Sequence, residues 1–226
     1  MGIALEAVAL DQLDQYRRLL QEWNERVNLT TITSTPEIYE LHFLDSLSIA
    51  LVVDMEQGPS LVDVGTGGGF PGLVLAIAFP QARITLVESI GKKAQFLRTV
   101  VEELGLQERV RVMVERAEVV GQQPQWREQF DVAVARAVAR LAVLAEYCLP
   151  LVKVGGYFVA QKGPDMGSEL EEALSGIAIL GGGETKTRVW TLPSGASRTL
   201  VCIGKGQITP SKYPRRPGIP AKRPLL

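Results

Sequence analysis

The residues best placed to do chemistry lie in SLVDVGTGGGFPGLVLAIAFP, from Ser60 to Pro80. A short apolar run ends in Asp63, and glycine then follows at alternate positions, Gly65, Gly67 and Gly69. Glycine lets a backbone approach a ligand closely, and a helix starting near Pro71 would add open N–H groups. Two ligand chemistries use such a turn. The dinucleotide pattern G-x-G-x-x-G fails from Gly65, because Phe70 holds its third glycine place, and is met only late by Gly67, Gly69 and Gly72. The pattern for S-adenosyl-L-methionine, D-x-G-x-G-x-G at a strand end, is met directly. A carboxylate at Asp63 would orient a cationic methionine group and repel a pyrophosphate. The methyl donor is therefore the favoured ligand, with an NAD-dependent oxidoreductase as the alternative.

Three further positions fall where such a ligand would lie. Glu88 ends the second apolar run, where a carboxylate meets ribose hydroxyls; it also reads as an acid at the start of a helix. Arg116, Ala117 and Glu118 follow the third run, where an adenine would be clamped, and Glu118 reads equally well as a helix-start acid. Arg136 closes FDVAVA, at the edge of the sheet where open α/β proteins bind ligands.

The elements that must carry these residues form two styles. Leu10, Leu13, Tyr16, Leu20, Trp23 and Val27 make one apolar helical stripe. Ser34, Thr35 and Pro36 announce a second helix running through IYELHFLDSLSIALVV. In it Asp45 reads as a structural group on a helix face, Asn28 as one at a helix end, and His42 as a partly buried residue bonded to a neighbour. From residue 60 short β-rich runs alternate with helical stretches, which predicts a mostly parallel sheet with helices on both faces. The last two runs, TKTRVWTL and RTLVCIG, are joined by a hairpin turn at Pro193 to Ala196. The expected fold is α/β, a Class I S-adenosylmethionine-dependent methyltransferase type: Rossmann-like, seven-stranded, with a terminal antiparallel hairpin. The boundaries are an N-terminal helical extension at 1–57, a methyltransferase domain at 58–206 and a basic, Pro-rich arm at 207–226. The arm has five Pro after Gln207 and reads as extended.

Composition narrows the class. With 226 residues, 46% hydrophobic, a packed core is available, and no apolar run approaches the roughly 20 residues of a membrane span. The first residues lack the basic start of a secretory signal, and Cys148 and Cys202 read as small buried hydrophobes, so a cytoplasmic setting is expected. One histidine, His42, makes a His-rich metal site and a Ser-His-Asp triad improbable. The net charge of −1 is a cancellation: residues 1–184 hold 15 bases against 25 acids, and the rest hold nine bases and no acid. In the arm, Lys212, Arg215, Arg216, Lys222 and Arg223 are candidate phosphate contacts, with Tyr213 between them to stack on an unpaired base. Lys92 and Lys93 read as phosphate contacts or as a solvated helix face.

The acceptor is constrained by what is missing. Amino-group methyltransferases carry [DNS]-P-P-[YFW] after the fourth strand, where this chain has ARAVAR. Cytosine C5 chemistry needs a nucleophilic cysteine, and neither cysteine has that setting. Guanine N7 offers an in-plane lone pair with no proton to lose, so alignment suffices.

WNERVNLTTIT, HFLDSLSI, LVDVGTGGGFPG, LVESIGKKAQFLRTV, ARAVARL, GGYFVAQKG and KYPRRPGIPAKRPL together resemble the RsmG (GidB) family of bacterial rRNA methyltransferases over nearly the whole chain. That resemblance implies methylation of N7 of guanine 527 in the 530 loop of 16S rRNA, in the small ribosomal subunit or its precursor, by a monomer without metal. It implies cofactor contacts at Gly65, Phe70, Ala117, Glu118 and Arg136, with Glu88 on the ribose. Gly68 stands where relatives can carry Pro, which is expected to loosen the turn. A catalytically silent RNA-binding protein on the same fold is the non-enzymatic alternative.

Overall fold

The computed structural model describes residues 1–226 except 137, 138 and 165; two residues of the ARAVAR segment thus lie outside the described residues. One seven-stranded sheet has the order β3-β2-β1-β4-β5-β7-β6. Its strands are β1 Ser60–Val64, β2 Arg83–Glu88, β3 Val110–Val114, β4 Phe130–Arg136, β5 Val152–Lys162, β6 Gly182–Thr191 and β7 Ser197–Lys205. The first five pair in parallel, and β7 runs antiparallel to both β5 and β6. The expected terminal hairpin is present, inserted so that β7 lies inside β6. Strand order reverses between β1 and β4, which opens a crevice at their carboxyl ends.

The helices are α1 Ala7–Asn24, α2 Thr35–Glu37, α3 Asp45–Leu47, α4 Gly72–Ala78, α5 Gly91–Glu103, α6 Ala117–Val120, α7 Leu141–Cys148, α8 Gly167–Ile179 and α9 Ile219–Lys222. β1 is buried on both faces because apolar residues fill consecutive positions, as a central parallel strand requires.

The N-terminal segment differs from the expected pair of helices. In α1 the inward residues are Ala9, Leu13, Tyr16 and Leu20, whereas Leu10 is exposed. Its end is tied by Asn24, whose Oδ1 accepts from the N–H groups of Leu29 and Thr30; Asn28 is exposed. The second helix is not continuous: a π-helix, Ile38–Leu44, separates α2 from α3, and 3-10 turns follow at Ser48–Leu51 and Met55–Gln57. Because the Asp45 N–H reaches back to the Glu40 carbonyl, it passes over Leu41, whose carbonyl accepts from Arg136 Nη1 at 3.2 Å. This unit shares one apolar core with α4, α5 and the sheet.

The arm also departs from expectation. It includes α9 and folds back onto the α6–α7 side rather than extending away. Arg127 donates to the carbonyls of Gly121, Thr209, Pro210 and Tyr213 at 2.7–3.2 Å, and Gln122 donates to that of Pro214. Tyr213 is buried, so the expected base-stacking role is corrected: its ring is part of the core. Cys148 and Cys202 are free and packed among apolar side chains, as anticipated.

Candidate active site

The glycine turn follows β1 and is gripped from three directions. Asp63 is fully buried, and its Oδ2 accepts from Thr66 Oγ1 at 2.6 Å and from the Gly72 N–H at 2.8 Å. A Cβ on Gly72 would stand 2.5 Å from Leu86 and 2.8 Å from that same oxygen, so only glycine fits. Burial raises the Asp63 carboxyl to about 6 despite the Thr66 and Gly72 hydrogen bonds. Its Oδ1 has no partner in the fold. The open amides expected at the start of α4 are taken by Asp63 and by the Gly69 carbonyl. A carboxylate therefore occupies the position a pyrophosphate would need, which removes the physical basis of the dinucleotide register.

From below, the Tyr16 hydroxyl of α1 donates to the Gly68 carbonyl, and a Cβ on Gly69, at φ +97°, would stand 2.6 Å from that hydroxyl. Burial raises the Tyr16 pKa well above its ordinary value, so the donor stays protonated. Gly68 is thus clamped rather than loosened. No sequence feature marked Tyr16 beyond the apolar stripe.

On the third side, Glu88 Oε2 accepts from the Gly67 N–H at 3.0 Å and Oε1 from the Ile90 N–H at 2.7 Å. A carboxylate has about four acceptor sites, so two remain for a ligand. Gly65, Arg116, Ala117, Glu118, Tyr147 and the arm residue Ala221 border a crevice of about 220 Å³ beside it. Glu118 is buried, and its Oε1 accepts from the Gly218 N–H at 2.8 Å. The arm is therefore one wall of the crevice, which the sequence did not suggest.

Arg136, at the end of β4, borders a second cavity of about 380 Å³. Its guanidinium lies 4.9 Å over the Phe70 ring, bonds Asp45 Oδ2 at 3.2 Å and faces His42 Nδ1 at 3.2 Å. His42 stacks on Phe70 at 4.3 Å. Because Nδ1 meets a permanent donor, Nε2 carries the proton and donates to Thr30 Oγ1 at 2.8 Å. Burial and then the Arg136 charge lower the His42 pKa to about 3, so the ring is neutral at physiological pH. Asp45, expected to be merely structural, is the shared partner of Arg136 and Arg198, the latter at 3.3 Å. The Phe70 ring is buried among Tyr16, Phe43 and His42.

Residues 9–196 match the GidB family model, described as rRNA small subunit methyltransferase G. The chain belongs to this family. Relatives named ribosomal RNA small subunit methyltransferase G are 46% identical over 226 residues in Alkaliphilus metalliredigens and 48% identical over 226 residues in Staphylococcus aureus. Each alignment covers 100% of this chain and 94% of the relative. Among solved structures, an O-methyltransferase from Bacillus cereus in complex with SAH is similar at a TM-score of 0.61 and 20% identity, covering 85% of this chain and 91% of that one. The GidB fold is thus the Class I methyltransferase fold with its antiparallel terminal strands, as the sequence predicted.

The GidB residues from the arm split into two groups. Arg215 donates from Nε and Nη2 to the fully buried Glu146, the latter at 2.6 Å, and so is turned inward. Lys205 is likewise buried against Glu128 and the Leu149 carbonyl. Lys212, Arg216, Lys222 and Arg223 are exposed, as is Lys92 on α5. Among the described residues no cluster of His, Cys, Asp or Glu could hold a metal, and no helix is long and apolar enough to cross a membrane.

Proposed function

We propose that this GidB protein binds S-adenosyl-L-methionine in the crevice beside Glu88 and methylates N7 of a guanine, position 527 in the 530 loop of 16S rRNA. The residues present fit the cofactor. Asp63 Oδ1 is a buried acceptor without a donor, Glu88 keeps two acceptor sites, and the Gly65 to Gly69 turn lies between them. Asp63, Gly65 and Gly67 line the sulfonium side, Phe70 contributes backbone because its ring is in the core, Glu88 takes the ribose, and Ala117 with Glu118 takes the adenine. Arg136 stands between cofactor and acceptor. The bound cofactor supplies an electrophilic methyl on a sulfonium.

The observation that carries the N7 reading is the protonation state of the site. His42, which borders the cavity at Arg136, is held neutral with both nitrogens engaged, and the Asp63 carboxyl is enclosed behind the glycine turn. Asp45, on the same cavity, is committed through Oδ2 to Arg136 and Arg198, and transfer to N7 requires no base: the S–CH3 bond breaks, the N7–CH3 bond forms, and the positive charge passes from sulfur to the purine. Phe70 and His42 hold Arg136 in place, and Asp45 offsets its charge. Catalysis then rests on alignment.

The exposed bases Lys212, Arg216, Lys222 and Arg223 contact rRNA phosphates, while Arg215 holds the arm. The protein acts as a monomer on the small subunit or its precursor. Methyl transfer from labelled cofactor to small-subunit RNA, with mapping of the labelled base, tests the reading. Replacing the acceptor guanine by 7-deazaguanine should abolish transfer; undiminished labelling would overturn N7 as the acceptor atom.

A further inference from the structure

Two residues that border the cavity at Arg136, Asp45 and Gln161, each carry a buried acceptor that the fold leaves without a donor, Oδ1 and Oε1. Both side chains are 3% exposed or nearly so. Their orientation is determined. Gln161 pairs in register with Arg136 across β4 and β5, and its Nε2 donates to the Asp45 carbonyl at 2.8 Å and to Ser48 Oγ at 3.0 Å. Turning the amide over would set its oxygen against that carbonyl, so Oε1 is the end left bare. On Asp45 both guanidiniums, of Arg136 and Arg198, use Oδ2, which leaves Oδ1 bare as well. A buried acceptor without a donor is costly and rare; two in one cavity wall, beside two guanidiniums, describe a ligand with two donors next to an acceptor.

Among the RNA bases, guanine alone has adjacent donors, N1–H and the N2 amine, on its Watson–Crick edge, with O6 as the neighbouring acceptor. Adenine offers one donor beside an acceptor, and the pyrimidines one donor each. We infer that Asp45 and Gln161 are the specificity-determining residues for the acceptor base, accepting from N1–H and N2–H respectively of an unstacked guanine while the Arg136 guanidinium faces O6. Held by that edge, the ring turns N7 outward from the wall. Arg198, whose side chain keeps 24% exposure, is the cover that turns aside as the base enters. This rests on the guanine reading above and adds how guanine is chosen.

The test uses the full chain and small-subunit RNA carrying guanine or inosine at the acceptor position, since inosine keeps N7 and N1–H but lacks the N2 amine. The wild-type protein should prefer guanine by about tenfold in kcat/KM, the scale of one base-edge contact. Gln161→Met should bring guanine down to the inosine rate, so the ratio falls towards one, while calorimetric affinity for S-adenosylhomocysteine is retained. Ser48→Ala removes a support of Gln161 but not its free oxygen and should keep the preference. Asp45→Asn, which sets an amide donor against N1–H, should lower the rates on guanine and inosine alike with S-adenosylhomocysteine affinity retained, and gives a second reading if Gln161→Met fails to fold. Equal rates on guanine and inosine in the wild type, an unchanged ratio in Gln161→Met, or undiminished rates in Asp45→Asn would overturn the inference. So would loss of S-adenosylhomocysteine binding in Gln161→Met with the ratio intact, because the acceptors would then serve the cofactor's ammonium. None of these outcomes depends on the 7-deazaguanine result, which addresses the reacting atom alone.

Discussion

The two ends of the chain meet the site in opposite ways. The N-terminal unit reaches inward with side chains: Tyr16 clamps the glycine turn, and His42 and Asp45 hold Arg136. The arm is held mainly by its backbone, its carbonyls taken by Arg127 and Gln122 and its Gly218 N–H by Glu118, with the Arg215 side chain on Glu146 and the Tyr213 ring in the core as two further anchors. An extension that supplies side chains changes the chemistry of the site. One that supplies mainly backbone shapes a wall and leaves its exposed bases, Lys212, Arg216, Lys222 and Arg223, turned to solvent.

The sharpest test of the first half is Asp45→Ala. It strands the guanidinium of Arg136, whose side chain is 13% exposed, and that of Arg198. Breaking such a buried pair costs about 3–5 kcal/mol, and a calorimetric scan should show a loss of roughly 6–20 °C in Tm. A variant melting with the wild type would mean that the N-terminal unit is only packed beside the site. For the second half, Arg127→Ala removes the hydrogen bonds to four carbonyls, and we expect about 2–3 kcal/mol of lost stability. Limited proteolysis should then cut between residues 207 and 218 well below the global Tm. Continued protection would show that arm side chains, not backbone, hold the strap.

Titration separates the two ends by pH window. The His42 pKa is depressed from 6.5 to about 3, so its neutral form contributes stability that is full above pH 6.5 and is lost as pH falls towards 3. By pH 5 the loss is about 2 kcal/mol at 1.36 kcal/mol per unit, and His42→Gln should flatten that limb of a Tm–pH profile. Burial depresses Lys205, at the root of the arm, to about 8, so its window lies between pH 8 and 10.5, and Lys205→Met should leave the acid limb untouched. The smallest effect on stability belongs to the exposed arm bases. Lys212→Ala with Arg216→Ala should change stability by no more than about 0.5 kcal/mol, yet lower the salt dependence of RNA binding by about two counterions. An unaltered salt slope would remove RNA from the outer face of the arm.

Most of the sheet was legible in the sequence because its strands are buried β-branched runs bounded by Gly, Pro and charged turns; β1, β2 and β3 have the expected limits. The positions of the proposed cofactor residues were legible for the same reason, since Asp63, Glu88 and Arg136 lie at or next to strand ends where the pattern itself points. What was not legible lies in contacts between residues far apart in the chain. Tyr16 meets Gly68, Gln161 meets Asp45, and Arg215 meets Glu146, and no local spacing encodes such pairs. The π-helix escaped because i→i+5 pairing has the same apolar pattern as an α-helix over one turn. The charge arithmetic misled in part: the basic excess after Glu184 includes Arg198, Lys205 and Arg215, all paired internally with acids.

The hydrogen bond between the Gly218 amide and Glu118 spans 100 residues and rests on a short helix. A terminal segment held over a short helix opens at a lower free energy than a central strand, so the strap is expected to open ahead of the sheet. Hydrogen exchange at Gly218 should then run far faster than at Val62 in the central strand, and slow once the crevice is filled. An arm that opens ahead of the sheet would let the wall beside Glu118 part while the strands beneath it stay folded.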